Sequence, residues 1–196
     1  MISPHPSEPE LLRRCVKGDT AAFGTLVNHY QDVVFNLAYR MLGDRDDASD
    51  VAQEVFIKAY RNIGAFERRS SLATWLYSIA TNESISQRRR AAATSRDGGV
   101  AMSALDGGGD CPFDPPGDAP APDKPLKDRE TRRQIERAIA DLDDEHRSVV
   151  LLREMEGLDY SSIASVLGCT IGTVKSRLHR ARLQLRSSLR HVWAGS

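Results

Sequence analysis

GCTIGTVKSRLHRARLQLR, residues 168–186, places apolar side chains at Ile171, Val174, Leu178, Ala181 and Leu185. Steps of three and four residues wind these positions into one apolar stripe on a helix, so Lys175, Arg177, Arg180, Arg182 and Arg186 face outward. From Thr170 to His191 there are six Lys or Arg and no Asp or Glu. A merely solvated helix mixes charge signs, whereas a surface of one sign suits a polyanion. Just upstream, Tyr160 to Leu167 reads as a shorter helix, followed by a turn at Gly168-Cys169 and an N-cap at Thr170 or Thr173. A short helix, a tight glycine turn and a second, basic helix make a helix-turn-helix. Ile163, Ala164 and Leu167 then pack on Val174 and Leu178, and the start of the basic helix approaches phosphate.

The rest of the chain sets the context of this motif. Of 196 residues, 40% are hydrophobic, enough for one moderate core or two small ones, and two are expected here. The 27 basic and 27 acidic residues cancel, but six of the bases sit in the last helix, so a neutral total does not argue against nucleic acid. Cys15, Cys111 and Cys169 are odd in number, widely spaced and lack a C-x-x-C, which indicates neither a disulfide framework nor a zinc site. The opening MISPHPSEPELLRRC has no apolar signal region, and no apolar run approaches the ~20 residues of a membrane helix. A reducing, cytoplasmic location without membrane insertion is expected.

Residues 91–126 contain six Gly, six Pro and six Asp, a composition that predicts a flexible, solvated linker. It divides the chain into residues 1–90 and 127–196, both all-α by their periodicity. In the first half, Glu10 to Lys17 forms a short helix, Asp19 caps Thr20 to Met41, and Asp44 or Asp46 caps a helix to about Ile63. Ala48, Val51, Ala52, Val55, Phe56, Ala59 and Ile63 give that helix its apolar stripe. Leu72, Trp75, Leu76, Ile79 and Ala80 give the stripe of another, running to Arg90. In the second half, Lys127 to Leu142 is helical, with Ile135, Ala138, Ile139 and Leu142 inward, and Asp143-Asp144-Glu145 opens a helix in which Val149, Val150, Leu152 and Met155 follow and which Gly157 ends.

The run G-C-T-I-G-T-V-K-S-R-L-H-R-A-R, with L-D-x-x-x-R-x-V-x-x-L-R-x-x-E-G-L-x-Y-x-x-I-A before it, resembles region 4 of bacterial sigma factors of the extracytoplasmic-function group. The first half agrees independently: G-D-x-x-A-F-x-x-L-V (Gly18 to Val27), D-x-x-Q-E-V-F-I-K-A-Y (Asp50 to Tyr60) and T-W-L-Y-x-I-A-x-N (Thr74 to Asn82) resemble region 2. The resemblance implies two small helical domains, a region 2 bundle and a region 4 helix-turn-helix domain, with no catalysis and no cofactor. It also implies the partners: core RNA polymerase through the clamp helices and flap of its large subunits, promoter DNA, and an anti-sigma factor.

Residue by residue, the resemblance places Asp50, Gln53, Glu54, Lys58 and Arg61 against polymerase. The segment Phe66 to Arg90 corresponds to the part that captures the melted −10 strand, with Arg68, Arg69, Arg88, Arg89 and Arg90 supplying charge and Asn82 aligned with the base-contacting Asn. The loop Phe66-Glu67-Arg68-Arg69-Ser70-Ser71 departs from the usual F-R-G start. Trp75 shares the stripe of Leu72 and Leu76 and reads as core. Lys175, Ser176, His179 and Arg180 match positions that meet duplex −35 DNA, Thr173 at the start of the helix is expected to bind −35 DNA with them, and Arg177 and Arg182 flank that face for phosphate. Two other readings stand beside this one. Asp44, Asp46, Asp47 and Asp50 could hold a hard metal ion, but acids in a first helical turn already follow from the helix dipole. A helix-turn-helix regulator that binds DNA as a dimer without polymerase is the alternative function.

Overall fold

The computed structural model describes residues 2–67, 70–96 and 124–190. Eight α-helices follow in order: α1 Glu8–Val16, α2 Thr20–Leu42, α3 Arg45–Asn62, α4 Leu72–Arg96, α5 Lys124–Ala140, α6 Asp144–Val150, α7 Tyr160–Leu167 and α8 Ile171–Ser188. No strand occurs among the described residues.

Short-range chemistry sets most helix boundaries. Asp19 accepts a hydrogen bond from the Ala22 amide at 3.0 Å, and Asp44 from the Asp46 and Asp47 amides at 2.9 Å each. Asp143 and Asp159 do the same for the His146 and Ser162 amides, at 2.8 and 2.7 Å. Each carboxylate satisfies orphan donors at the positive end of its helix. Asp44, Asp46 and Asp47 are thereby accounted for as a helix start, and no cluster of metal-ligating side chains occurs among the described residues. Gly43 ends α2 with φ +80°, a left-handed conformation that a side chain disfavours.

The first half is a bundle in which α2, α3 and α4 pack pairwise and α1 lies on α2. Leu26, Tyr30, Val34, Leu37 and Met41 meet Val51, Val55 and Ala59 from α3 and Leu72, Leu76 and Ala80 from α4, all buried. Each large apolar side chain removed from water contributes about 1.5–3 kcal/mol before entropy is counted. In the second half, α8 lies on α6 and α7 through Val174, Leu178 and Ala181.

Two expectations from sequence are corrected. The predicted linker loses both ends to helix: α4 runs on through Ala91-Ala92-Ala93 to Arg96, as the alanines' strong helical preference favours, and α5 begins at Lys124 with Pro125 in its first turn, where a missing N–H costs nothing. Residues 97–123 lie outside the described residues. The two expected cores are one, because the buried apolar cluster continues from the bundle into the second half, where α4 packs on α7 and the end of α2 meets α5 and α6. Beyond these, the structure turns Met155 outward, at 41% exposed, while Glu156 is only 6% exposed. After α6 the backbone widens into a π-helical turn over Leu151–Met155, with the Glu156 amide bonded to the Leu151 carbonyl. One extra residue in the turn rotates the following side chains, so the ordinary helical period misplaces them.

Candidate nucleic-acid and partner interfaces

α7 is capped by Asp159, whose carboxyl also accepts from the Ser161 hydroxyl at 2.7 Å; these bonds hold that carboxyl below the usual aspartate range. α7 ends at Gly168, φ +60°, and the Cys169 amide closes the turn on the Ala164 carbonyl at 3.0 Å. The chain then restarts with Thr170, whose hydroxyl oxygen accepts from the Thr173 amide at 3.1 Å. This aims the free end of α8 away from α7, with Val174, Leu178 and Ala181 inward.

Opposite that seam, Lys175, Ser176, His179 and Arg180 are exposed on one face. Lys175, His179 and Arg180 have no side-chain partner among the described residues, and Ser176 only donates to the Thr173 carbonyl at 2.9 Å. Thr173 is different: its hydroxyl pairs with that of Thr170 at 2.9 Å, so it belongs to the cap. Arg177 is half-buried and lies 2.8 Å from Glu145 of α6. Arg182 donates to Glu154 at 2.6 Å, a carboxylate that further stabilises its charge. The one-sign surface read from α8 alone is therefore partly neutralised by acids from neighbouring elements, which a count along one helix does not include.

On α3, Asp50, Gln53 and Arg61 are exposed and Glu54 is half-buried. Lys58 lies 2.6 Å from Glu83 of α4 and 3.6 Å from Glu54. The Glu83 hydrogen bond holds the Lys58 ammonium above the usual lysine range. Beside these residues a groove of about 300 Å3 runs between α2 and α3, lined by Gln31, Asp32, Phe35, Ala52, Gln53 and Phe56 among others. The α2 side of it, Gln31, Asp32 and Phe35, was not singled out from sequence. Phe35 sits one residue past Val34, at the edge of the α2 stripe, and no signal within one helix marks it as the wall of a groove.

On α4, Asn82 is exposed and makes no side-chain hydrogen bond among the described residues, immediately before the Glu83 that holds Lys58. Arg89 and Arg90 are exposed. Arg88 is half-buried, 3.0 Å from Asp144 of α6 and 3.4 Å from the Met41 carbonyl. Arg68 and Arg69 lie outside the described residues. Trp75 packs against the core, its ring 5.2 Å from that of Phe66.

A helical bundle followed by a helix-turn-helix whose outer face is polar and open is the architecture of a DNA-binding protein of the helix-turn-helix class. Comparison with known proteins specifies the family. Sigma-70 region 2 matches residues 26–94 and Sigma-70, region 4 matches residues 132–185. The ECF RNA polymerase sigma factor SigW of Bacillus subtilis is 36% identical over 189 residues, covering 92% of this chain and 96% of its own. The ECF RNA polymerase sigma-E factor of Escherichia coli K12 is 36% identical over 185 residues, 92% of this chain and 93% of its own. Among solved structures, the sigma factor RpoE in complex with the anti-sigma factor NepR from Bartonella quintana superposes with a TM-score of 0.66 at 27% identity, covering 86% of this chain and 96% of that one. The chain belongs to the extracytoplasmic-function group of the sigma-70 family of RNA polymerase sigma factors.

Proposed function

We propose that this chain binds core RNA polymerase and directs it to promoters, acting as an initiation factor in the cytoplasm and leaving all phosphoryl transfer to the polymerase. The observation that carries the reading is the presence, in order, of both sigma regions on one chain, each with an open polar face on the helix where the family's function requires one. No described helix is long and apolar enough to cross a membrane. The dimeric-regulator alternative gives no account of the region 2 bundle.

The division of labour follows from the surfaces. Lys175, Ser176, His179 and Arg180 are the set for base edges in the duplex −35 major groove, oriented by the Thr170 cap. Arg177 and Arg182 contribute through phosphate only by giving up Glu145 and Glu154, so their net effect on affinity is small. The α3 surface, Asp50, Gln53, Glu54, Lys58 and Arg61, together with the groove beside Phe35, takes the clamp helices. Asn82, Arg89 and Arg88, with Arg68 and Arg69, hold the unpaired −10 strand. Asn82 presents both a donor and an acceptor, suited to the edge of an extruded base. Holding that base makes strand opening favourable by population shift, because only the open state gains the contact. An anti-sigma factor is the expected regulator. Run-off transcription with purified core polymerase on a promoter library tests the proposal: start sites downstream of a shared −35/−10 pattern are expected. No transcription above core polymerase alone, or tight palindromic binding by the isolated chain, overturns it.

A further inference from the structure

Arg177 and Arg182 are five residues apart on α8, about 140° around the helix at ~3.6 residues per turn, so they stand on either side of the face that carries Lys175, Ser176, His179 and Arg180. Each meets one carboxylate from outside α8. Arg177 lies 2.8 Å from Glu145 at the start of α6, and Arg182 donates at 2.6 Å to Glu154 in the π-helical turn that follows. Neither acid completes a core, since the Glu145 and Glu154 side chains are 65% and 47% exposed. Neither holds a helix together. Asp143 is the cap of α6 and Asp144 shares its first turn, while the Glu154 carboxylate has no hydrogen-bond partner other than Arg182 among the described residues. By contrast, Lys175, Arg180 and Arg186 have no acid partner among the described residues.

On DNA, a paired guanidinium only exchanges one anion for another: it leaves a carboxylate for a phosphate, and the gain is the difference between two similar charge-assisted contacts. A free cation releases counterions instead. Each phosphate neutralised steepens the fall of log affinity with log salt by about 0.9, which is roughly eightfold in affinity at ~0.1 M relative to 1 M, and two such contacts amount to roughly sixtyfold. That factor acts on every sequence alike, because phosphate carries no base information, and a genome offers about 10⁶–10⁹ competing sites.

We propose that Glu145 and Glu154 set the DNA affinity of this chain: each stands in for a phosphate on one flank of α8, withdraws that flanking arginine from sequence-independent binding, and leaves recognition to the base-reading face between them. The unattached chain is thereby kept off bulk DNA. The consequence for promoter use rests on the sigma reading, whereas the effect on DNA affinity belongs to the chain alone and is measured without polymerase.

The test titrates the full chain into a fluorescein-labelled duplex of scrambled sequence and follows anisotropy at several salt concentrations between about 50 and 200 mM. Glu145→Gln and Glu154→Gln are each expected to raise affinity roughly fivefold to tenfold near ~0.1 M and to steepen the salt slope by about one, and the double variant to raise affinity roughly sixtyfold. Adding Arg177→Ala to Glu145→Gln, or Arg182→Ala to Glu154→Gln, should abolish the gain, which a loosened fold would not do. Glu10→Gln breaks an ion pair of the same kind with Arg13 on α1 and should change affinity by less than about twofold. Changes under about twofold in both single variants, a gain that survives removal of its arginine, or an equal gain in Glu10→Gln overturns the proposal. With core polymerase and excess promoter-free DNA, the double variant should transcribe less than the unmodified chain and recover as the competitor is withdrawn; output indifferent to the competitor overturns the link to bulk DNA. A gain in DNA affinity in a chain that supports no transcription overturns the sigma reading and leaves the role of the two carboxylates intact.

Discussion

Replacing Arg147 by Met removes a guanidinium that is 2% exposed and has no carboxylate partner among the described residues. Its Nε donates to the Ile139 carbonyl at 3.1 Å, Nη1 to Met41 at 2.6 Å and Nη2 to Leu142 at 2.8 Å, with a further bond from Nη2 to Ala140. Three of these acceptors lie at or just beyond the end of α5 and one in the last turn of α2, so a single cation caps two negative helix ends. Met has similar length and no donor. Four carbonyls lose partners at about 1–3 kcal/mol for each one that stays dry, but the substitution also relieves several kcal/mol of desolvation borne by the charge. We expect a net loss of about 3 kcal/mol. For a chain of this size that lowers Tm by roughly 6–12 °C and moves the urea midpoint correspondingly. Hydrogen exchange should localise the loss to amides of α5 and α6, because only the Met41 bond crosses to the first half. Arg147→Lys should rescue little, since an ammonium on a flexible stem cannot address four carbonyls at once. A loss under about 1 kcal/mol for Arg147→Met, or near-complete rescue by Lys, refutes the capping argument.

Other expected outcomes follow from the same geometry. Asn82→Ala, at an exposed position without a hydrogen bond, should leave thermal stability unchanged and impair duplex promoters more than templates with a pre-melted −10 bubble; equal defects on both, with a lower Tm, count against its place in the site. Lys175→Ala and Arg180→Ala should each weaken −35-dependent promoters by about 1–3 kcal/mol in footprinting titrations, and Arg177→Ala by clearly less because Glu145 already occupies it. An Arg177→Ala defect as large as the other two refutes the assignment of faces. The depressed carboxyl of Asp159 stabilises the fold above the ordinary aspartate pKa, a contribution lost as pH falls through the folded value. Asp159→Asn keeps an N-cap that does not titrate, so urea midpoints of the two proteins should diverge between pH 5 and 3, with the Asn variant flatter.

The features legible in the amino-acid order are local ones. Asp19, Asp44, Asp143, Asp159 and Thr170 act on amides two or three residues away, Gly43 and Gly168 act at their own φ, and helical periodicity places Val55 or Val174 inward from neighbours three and four residues distant. These interactions have fixed sequence offsets, so they can be read from a string of letters. The motifs of both sigma regions are legible for the same reason, since each lies within one or two helices. Contacts without a fixed offset come from the packing of the folded chain. Glu145 and Glu154 neutralise Arg177 and Arg182 only because α6 and the turn after it cross α8 where they do. Phe35 becomes the wall of a groove only when α3 lies alongside α2. The π-helical turn exchanges Met155 for Glu156 at the buried position, and Tyr77 meets that carboxylate across 79 residues of chain. Such contacts depend on crossing angles and on an inserted residue in one helical turn, and those are set by the packing of the whole cluster rather than by any segment within it.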